Sequence, residues 1–148
     1  MSPTLTSKRS VSKTIQAPAE KVFDSWLIPA VVGRWMFGPS VQAESIIDLS
    51  NNVRPKGDFT YKVRRGSKEV VISGVYHVID RPRRLEFSWR EDGGLEMLVQ
   101  IQFESEATHT KMRISLKLDA SLAAQADNIK QLWSTRSTLL ATLLSRKA

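Results

Sequence analysis

Four stretches of the chain alternate between apolar and polar side chains, and this alternation constrains the fold more than any other feature. They lie at 59–64, 84–90, 95–104 and 111–118. Successive side chains of a strand point to opposite faces, so each stretch predicts a strand with one buried face and one wet face. The pattern is typical of an antiparallel sheet that is covered on one side only. The side chains predicted to face inward are Phe59, Tyr61, Val63, Leu85, Phe87, Trp89, Leu95, Met97, Val99, Ile101, Phe103, Met112, Ile114, Leu116 and Leu118.

Three further stretches extend the predicted sheet. Residues 11–15 and 41–47 predict its first and second strands. Residues 69–79 are apolar nearly throughout, and Gly74 within them predicts a bulge or a bend. Because of that glycine, the direction of the His77 side chain is left open. We therefore predict a curved antiparallel sheet of six to seven strands, with hairpin links at 65–67, 80–82 and 92–94.

Two short helices are predicted directly after the first strand. Pro18 suits the first turn of a helix, where its missing N–H costs no hydrogen bond. Val22, Phe23 and Trp26 then fall on one apolar face. A second helix is predicted at 29–36, where it ends before a Gly-Pro pair. The large aromatic face of this segment requires a partner, and the sheet is the surface that can cover it.

The chain closes with a long predicted helix, from about Ser121 to Ser145. Asp119 or Ser121 can cap its N-terminus. Arg136 lies within the apolar stripe of this helix and is the one charge that interrupts it. The stripe indicates that the helix lies along the apolar face of the sheet. Its members are Leu122, Ala126, Ile129, Trp133, Leu140 and Leu143, widened by Leu132, Leu139 and Leu144.

Composition narrows the classes of protein to which the chain can belong. Its 148 residues suit one domain, 1–148, with a frayed segment at 1–9. The absence of cysteine excludes disulfides and thiol catalysis and favours a cytoplasmic location. With His77 and His109 as the only histidines, no metal or cofactor is expected. No apolar run approaches the roughly 20 residues of a transmembrane helix. The net charge of +7 is dispersed, so no nucleic-acid partner is predicted.

The order of the predicted elements resembles the helix-grip fold of the START-like superfamily, also called SRPBCC. Within it, the chain from Lys8 to Leu144 is most similar to the family named for the C-terminal domain of the activator of heat-shock protein 90 ATPase. Two positions depart from that family. Met36 stands where many relatives carry a second aromatic residue, and 123–126 lack a Gly-Trp pair. The matching segments are 15–23, 33–36, 55–59, 74–76 and 81–89, with the helix around Trp133.

The resemblance implies a cavity between the sheet and the last helix that binds a small hydrophobic or amphipathic molecule, such as a lipid. A filled core is the alternative fate of the same side chains. Arg136 either anchors an anionic group of the ligand or reaches the helix edge to pair with an acidic neighbour. The entrance is expected near Trp35 and Met36. The cavity candidates are Trp35, Met36, Phe59, Tyr61, His77, Phe87, Trp89, Met97, Ile101, Met112, Trp133 and Arg136.

Two other functions follow from the same resemblance, since its members include carriers, stress-response proteins, cyclases and co-chaperones. The first is regulation of the heat-shock protein 90 ATPase as a co-chaperone, with a chaperone as partner. The second is an enzyme that resembles a polyketide cyclase or a hydrolase and acts inside the cavity. It requires polar groups to converge there, and His77, Tyr61 and Arg136 are the candidates. No motif assigns a catalytic residue, and a monomer or weak dimer is expected.

Overall fold

The computed structural model describes residues 5–37, 44–94 and 96–145, and within them the chain forms one seven-stranded sheet and three α-helices. The sheet is antiparallel throughout, with strand order β1-β7-β6-β5-β4-β3-β2. The predicted helix-grip fold is confirmed. The elements are β1 (Leu5–Ile15), α1 (Ala19–Asp24), α2 (Pro29–Trp35), β2 (Glu44–Asn51), β3 (Asp58–Arg65), β4 (Lys68–Asp80), β5 (Arg84–Glu91), β6 (Met97–Ser105), β7 (Thr110–Asp119), a 3-10 helix (Ala120–Gln125) and α3 (Ala126–Ser145).

The alternation of the strands has the predicted consequence. In β7, for example, Met112, Ile114, Leu116 and Leu118 are buried, whereas the residues between them are exposed or half-buried. The buried face of the sheet supplies most of the hydrophobic core, and burial of such side chains is the main favourable term in folding. None of the described helices is long and apolar enough to cross a membrane.

Two boundaries differ from the sequence predictions. β1 begins at Leu5 rather than near residue 11, so residues 5–9 of the segment expected to fray pair with β7. Residues 1–4 lie outside the described part of the chain. β2 extends to Asn51, beyond the predicted end at residue 47. The predicted strand residues 41–43, the Gly-Pro pair before them and Leu95 also lie outside the described residues.

The prolines start both short helices as predicted. Pro18 is the N-cap of α1, and Pro29 begins α2. The buried ring of Phe23 packs against Phe103 of β6 in an edge-to-face arrangement with ring centroids 5.3 Å apart. The two helices thus cover part of the apolar face of the sheet, as their aromatic residues required.

The last helical segment is divided, although the sequence predicts one continuous helix. Asp119 acts as the cap, because its Oδ1 accepts hydrogen bonds from the backbone N–H of Ser121 at 2.9 Å and from its hydroxyl at 2.7 Å. The 3-10 helix follows this cap, and α3 begins at Ala126. α3 lies alongside β1, where Arg9 Nε donates to Asp127 Oδ1 at 2.9 Å. One end of the helix–sheet interface is therefore bordered by the 3-10 helix.

β4 carries two irregularities, and His77 lies at one of them. The register between β4 and β5 shifts between Tyr76 and Val78, so His77 is the extra residue of a bulge and is exposed. Gly74, where the sequence predicted the irregularity, serves another purpose. A Cβ atom at this position would collide with the Ser88 carbonyl oxygen and the Phe59 ring. Glycine is required there because the backbones approach closely.

Candidate functional site

The most unusual buried side chain of the protein is Arg136 of α3, which is only 2% exposed. Its Nε donates a hydrogen bond of 2.9 Å to the carbonyl oxygen of Met36. Its Cζ atom lies 4.8 Å from the ring centroid of Trp133, 5.3 Å from that of Trp89 and 5.8 Å from that of Phe37. Arginine is almost never fully buried without a partner. The aromatic faces supply an attractive electrostatic environment for the cation, but they accept none of its remaining N–H groups.

Burial affects the charge state and the hydrogen bonding of Arg136. It lowers the pKa of this guanidinium to about 10, although the nearby carboxylates of Glu44 and Glu91 act in the opposite direction. Neither carboxylate lies within ion-pair distance of Arg136, and Nη2 has no hydrogen-bond partner among the described residues. A buried donor without a partner is costly, and more so when it is charged. The guanidinium is thus held in place at one nitrogen and left unsatisfied at another.

A second arginine, Arg65 at the end of β3, lies next to this group and is fully paired. Its Nη2 is 2.8 Å from Glu44 Oε2, and its Nη1 is 3.2 Å from Glu91 Oε1. Burial would lower the pKa of Arg65, but hydrogen bonds to Glu44 and Glu91 outweigh it and raise the pKa. Trp89 adds a weaker contact, since its Nε1 donates to Glu91 Oε2 at 3.4 Å. The carboxylates of this region are therefore engaged by Arg65 and not by Arg136.

These groups border a cleft of about 310 Å³ at one end of the helix–sheet interface. Polar side chains lie on one part of its wall, and apolar side chains from α3 and the 3-10 helix form the rest. The cleft is lined by Arg65, Trp89, Glu91, Met97, Leu122, Ile129, Leu132, Trp133 and Arg136. An apolar cleft with a few convergent polar groups is the usual form of a small-molecule site.

The rest of the interface is filled by an aromatic cluster, which we define as Trp26, Trp35, Phe59, Tyr61, Phe87 and Trp133. Trp26 lies at its centre, edge to face with Trp35 at 4.7 Å and stacked on Trp133 at 5.9 Å. Trp35 Nε1 donates to the Ser25 carbonyl oxygen at 3.0 Å. Phe59 contacts Tyr61 at 4.8 Å and Phe87 at 5.7 Å. In this region the inward-facing side chains pack against each other rather than line an open space.

The twelve residues predicted to line the cavity lie in different environments in the structure. Trp89, Met97, Trp133 and Arg136 line the cleft. His77 is exposed on the bulge of β4, so its nomination was wrong. Trp35 and Met36, near which the entrance was expected, are both fully buried. The remaining nominated residues are buried in the core outside the cleft, and they are Phe59, Tyr61, Phe87, Ile101 and Met112.

Two polar residues of the cleft were missed, although the alternation contains the signal that finds them. Arg65 continues the inward series of β3, two residues after Val63, and Glu91 continues that of β5, two residues after Trp89. Counting by two past the last apolar residue would have placed both charges on the inner face. Leu122, Ile129 and Leu132 were identified as members of the helical stripe, but not as cleft residues.

The three side chains proposed for catalysis are not brought together. Arg136 lines the cleft, Tyr61 lies in the aromatic cluster and His77 is exposed. Burial is the main cause that raises the pKa of Tyr61 and of Tyr76, so both phenols stay protonated at neutral pH. Within the described residues, no group of three or more histidines and carboxylates is arranged to hold a metal ion. Among the described residues that line the cleft, the charged donors are Arg65 and Arg136.

Comparison with known proteins finds a family model that matches this chain and solved structures that share its fold. The family model of the Activator of Hsp90 ATPase homolog 1-like protein matches residues 16–145. Protein CV1439 from Chromobacterium violaceum is similar in structure, with a TM-score of 0.81, 16% identity, and coverage of 95% of this chain and 99% of that one. No curated protein is significantly similar in sequence.

Two further solved structures share the fold at similar identity. CalU16 from Micromonospora echinospora has a TM-score of 0.68 and 19% identity, and the match covers 93% of this chain and 76% of that one. DynU16, a protein in the dynemicin biosynthetic locus, has a TM-score of 0.74 and 19% identity, and the match covers 93% of this chain and 46% of that one. At such identities the likeness shows the fold alone.

Proposed function

The chain belongs to the Activator of Hsp90 ATPase homolog 1-like family, and on this premise we propose that it binds a small hydrophobic or amphipathic molecule in the cleft. The single observation that carries the proposal is the composition of the cleft wall. Apolar side chains from β6, the 3-10 helix and α3 face about 310 Å³ of open space beside two arginines. This volume lies near the lower end of the range typical of ligand sites, so the ligand is small.

The apolar wall gives the ligand its driving force. Leu122, Ile129 and Leu132 are only half-buried, and a ligand between them and the ring of Trp133 removes further apolar surface from water. Each Å² so buried contributes about 25 cal/mol. Met97 on the opposite wall is a flexible side chain that adapts to the shape of a ligand. The presence of DynU16 in a biosynthetic locus is consistent with a fold that serves small-molecule chemistry.

A neutral fluorescent probe tests this proposal without involving the arginines. Titration with N-phenyl-1-naphthylamine should give a saturable, one-to-one increase in fluorescence. Ile129→Trp, which fills the cleft from α3, should abolish it. Gln131→Trp is the matched control, because Gln131 is exposed on the same helix and does not line the cleft. Absence of saturable binding to the unmodified protein, or equal binding by both variants, would exclude the cleft as the site.

A second candidate function is regulation of an Hsp90-type ATPase, and the observation in its favour is the family description. The measurement is ATP turnover by the chaperone with increasing amounts of this protein. Unchanged turnover at saturation would remove this candidate. The cyclase-like or hydrolase-like alternative is less well supported, because only one of its three proposed polar groups lines the cleft.

A further inference from the structure

We propose that the molecule bound in the cleft carries a single carboxylate, which the terminal nitrogens of Arg136 bind. This inference rests on the proposed function and adds the chemical class of the ligand. It is built from the hydrogen bonds of Arg136, the pairing of its neighbours and the distribution of polar and apolar walls.

The guanidinium of Arg136 has N–H donors that the described residues leave unused. A guanidinium presents five N–H donors in a planar fork. Its one hydrogen bond to a described residue runs from Nε to the Met36 carbonyl oxygen, and this bond fixes the orientation of the group. The Nη1–Nη2 end makes no hydrogen bond to any described residue, and Nη2 is fully buried. A carboxylate accepts charge-assisted hydrogen bonds from such donors, and because Nη2 is enclosed by protein atoms, this pairing requires the guanidinium to turn toward the cleft.

The carboxylates beside the cleft form their ion pairs with Arg65, and Glu44 Oε1 is buried without a hydrogen-bond partner but forms no ion pair with Arg136. Arg65 binds Glu44 with Nε at 3.1 Å and Nη2 at 2.8 Å. Its Nη1 donates to Glu91 Oε1 at 3.2 Å, so Arg65 is hydrogen-bonded to both carboxylates. Arg136 forms no ion pair with any carboxylate of the described residues. An isolated buried charge is expensive, and a negative group on the ligand supplies what the fold does not.

The charges around Arg136 favour a ligand with one anionic group. Arg136 and Arg65 carry two positive charges, and Glu44 and Glu91 carry two negative charges. Glu91 faces the cleft and is partly exposed. One ligand carboxylate at Arg136 completes its coordination, whereas a dianion would be repelled by Glu91 at short range. The remaining wall is apolar, so the carboxylate belongs to a molecule with a hydrophobic body.

A matched series of compounds tests the inference on the unmodified protein. We would measure displacement of N-phenyl-1-naphthylamine by 4-phenylbutyrate, 4-phenylbutanol and 4-phenylbutylamine, which share one hydrophobic body and differ in the end group. The carboxylate should bind at least tenfold more tightly than the alcohol, and the amine most weakly. Equal displacement by all three compounds, preference for the amine, or no displacement while the probe is bound would overturn the inference.

Variants identify Arg136 as the source of the preference. Arg136→Gln should reduce affinity for 4-phenylbutyrate to the level of the alcohol and leave the affinity for 4-phenylbutanol within twofold. Arg113→Gln is the matched control, since it removes one positive charge from an exposed site on β7 and should preserve the preference. A preference that survives Arg136→Gln would contradict the assignment. Should Arg136→Gln fail to fold, the compound series on the unmodified protein still decides.

The two proposals fail in different ways. When the neutral probe binds and the carboxylate has no advantage, the cleft remains a ligand site and only the carboxylate is excluded. When neither the probe nor any compound of the series binds saturably, the cleft itself is excluded as a ligand site.

Discussion

The aromatic cluster and the cleft occupy the same helix–sheet interface, but the cluster is closely packed whereas the cleft contains open space. In the cluster, Trp26 is enclosed by rings on several sides, and Trp35 donates to a backbone carbonyl. In the cleft, apolar side chains face open space, and Arg136 is left with an unsatisfied nitrogen. The cluster also holds an unpartnered donor, Trp26 Nε1, but a neutral indole costs less to bury than a cation.

This difference indicates that the cluster and the cleft have different roles within one interface. Trp133 belongs to both regions, because one side of its environment is Trp26 at 5.9 Å and another is Trp89 at 5.1 Å. The cluster fixes the position of α3 against the sheet, and the cleft uses that fixed helix to present Arg136. Groups that reduce stability are typical of functional sites, where they are held by well-packed surroundings.

The largest expected effect is a difference in unfolding free energy between a truncation in the aromatic cluster and one in the cleft. Trp35→Ala should cost about 3–5 kcal/mol of unfolding free energy, because it opens a cavity in the cluster. It also leaves the Ser25 carbonyl oxygen without its donor. Ile129→Ala in the cleft should cost about 1 kcal/mol, since its side chain is half-buried and faces open space.

Urea unfolding measures both free energies under one protocol, and the melting temperature of Trp35→Ala should fall by roughly 10 °C. Similar losses of unfolding free energy for the two variants would show that the aromatic cluster and the cleft are packed equally well. Gln131→Ala, an exposed site of α3, serves as the control and should change stability by less than about 0.5 kcal/mol.

An intermediate effect is expected at the ion pairs beside the cleft. Arg65→Met should cost about 2 kcal/mol, because it leaves the buried Glu44 carboxylate without its partner. Adding Glu44→Gln should recover about half of that loss, since the uncompensated charge is removed. The double-mutant cycle measures the coupling directly, and additive losses would mean that the two side chains do not interact in solution.

The smallest effect concerns pH and the tyrosines around Phe59. Burial raises the pKa of Tyr61 and of Tyr76, so the folded chain keeps these protons at a pH where the unfolded chain loses them. The stability they contribute is complete below pH 10, the ordinary phenol value, and declines above it. Arg136 has the opposite sign, because its pKa is lowered to about 10 and deprotonation relieves the cost of its burial.

Tyr61→Phe should therefore flatten the decline in melting temperature between about pH 9 and pH 11 relative to the unmodified protein. Phenolate absorbance should appear together with loss of near-ultraviolet circular dichroism, and not before it. Ionisation of both tyrosines while that signal is intact would show that neither phenol is protected by the fold.

The fold was predictable because its signals are local. Alternation identifies the strands, Pro18 and Pro29 start the short helices, and the apolar stripe of α3 identifies its buried side. The position of Arg136 within that stripe left two outcomes open, a charge inside the protein or one that reaches the helix edge, and the structure shows that the side chain is buried. Each of these inferences depends on neighbours a few residues apart, for which spacing and geometry are directly linked.

The candidate site was less predictable because it depends on contacts between distant segments. His77 faces outward because it follows the buried Tyr76, and the nearly continuous apolar run of β4 conceals this phase until the pairing of β4 with β3 is known. Arg65 and Glu91 could be assigned to the inner face by counting, but not to each other. Their contact at 3.2 Å reaches across the interposed strand β4 and depends on the curvature of the sheet.

The amino-acid sequence is sufficient for the order of elements, the helix-grip fold and the choice of inward-facing residues, since these follow from backbone periodicity. Whether those residues fill the interior or border a cleft required the three-dimensional structure. The volume of the cleft depends on how side chains from five elements meet, namely β3, β5, β6, the 3-10 helix and α3, and no periodicity encodes it. The same holds for Arg136. Its place in the helix left its burial open, and its missing hydrogen-bond partner is visible only once the neighbouring carboxylates of the described residues have been located.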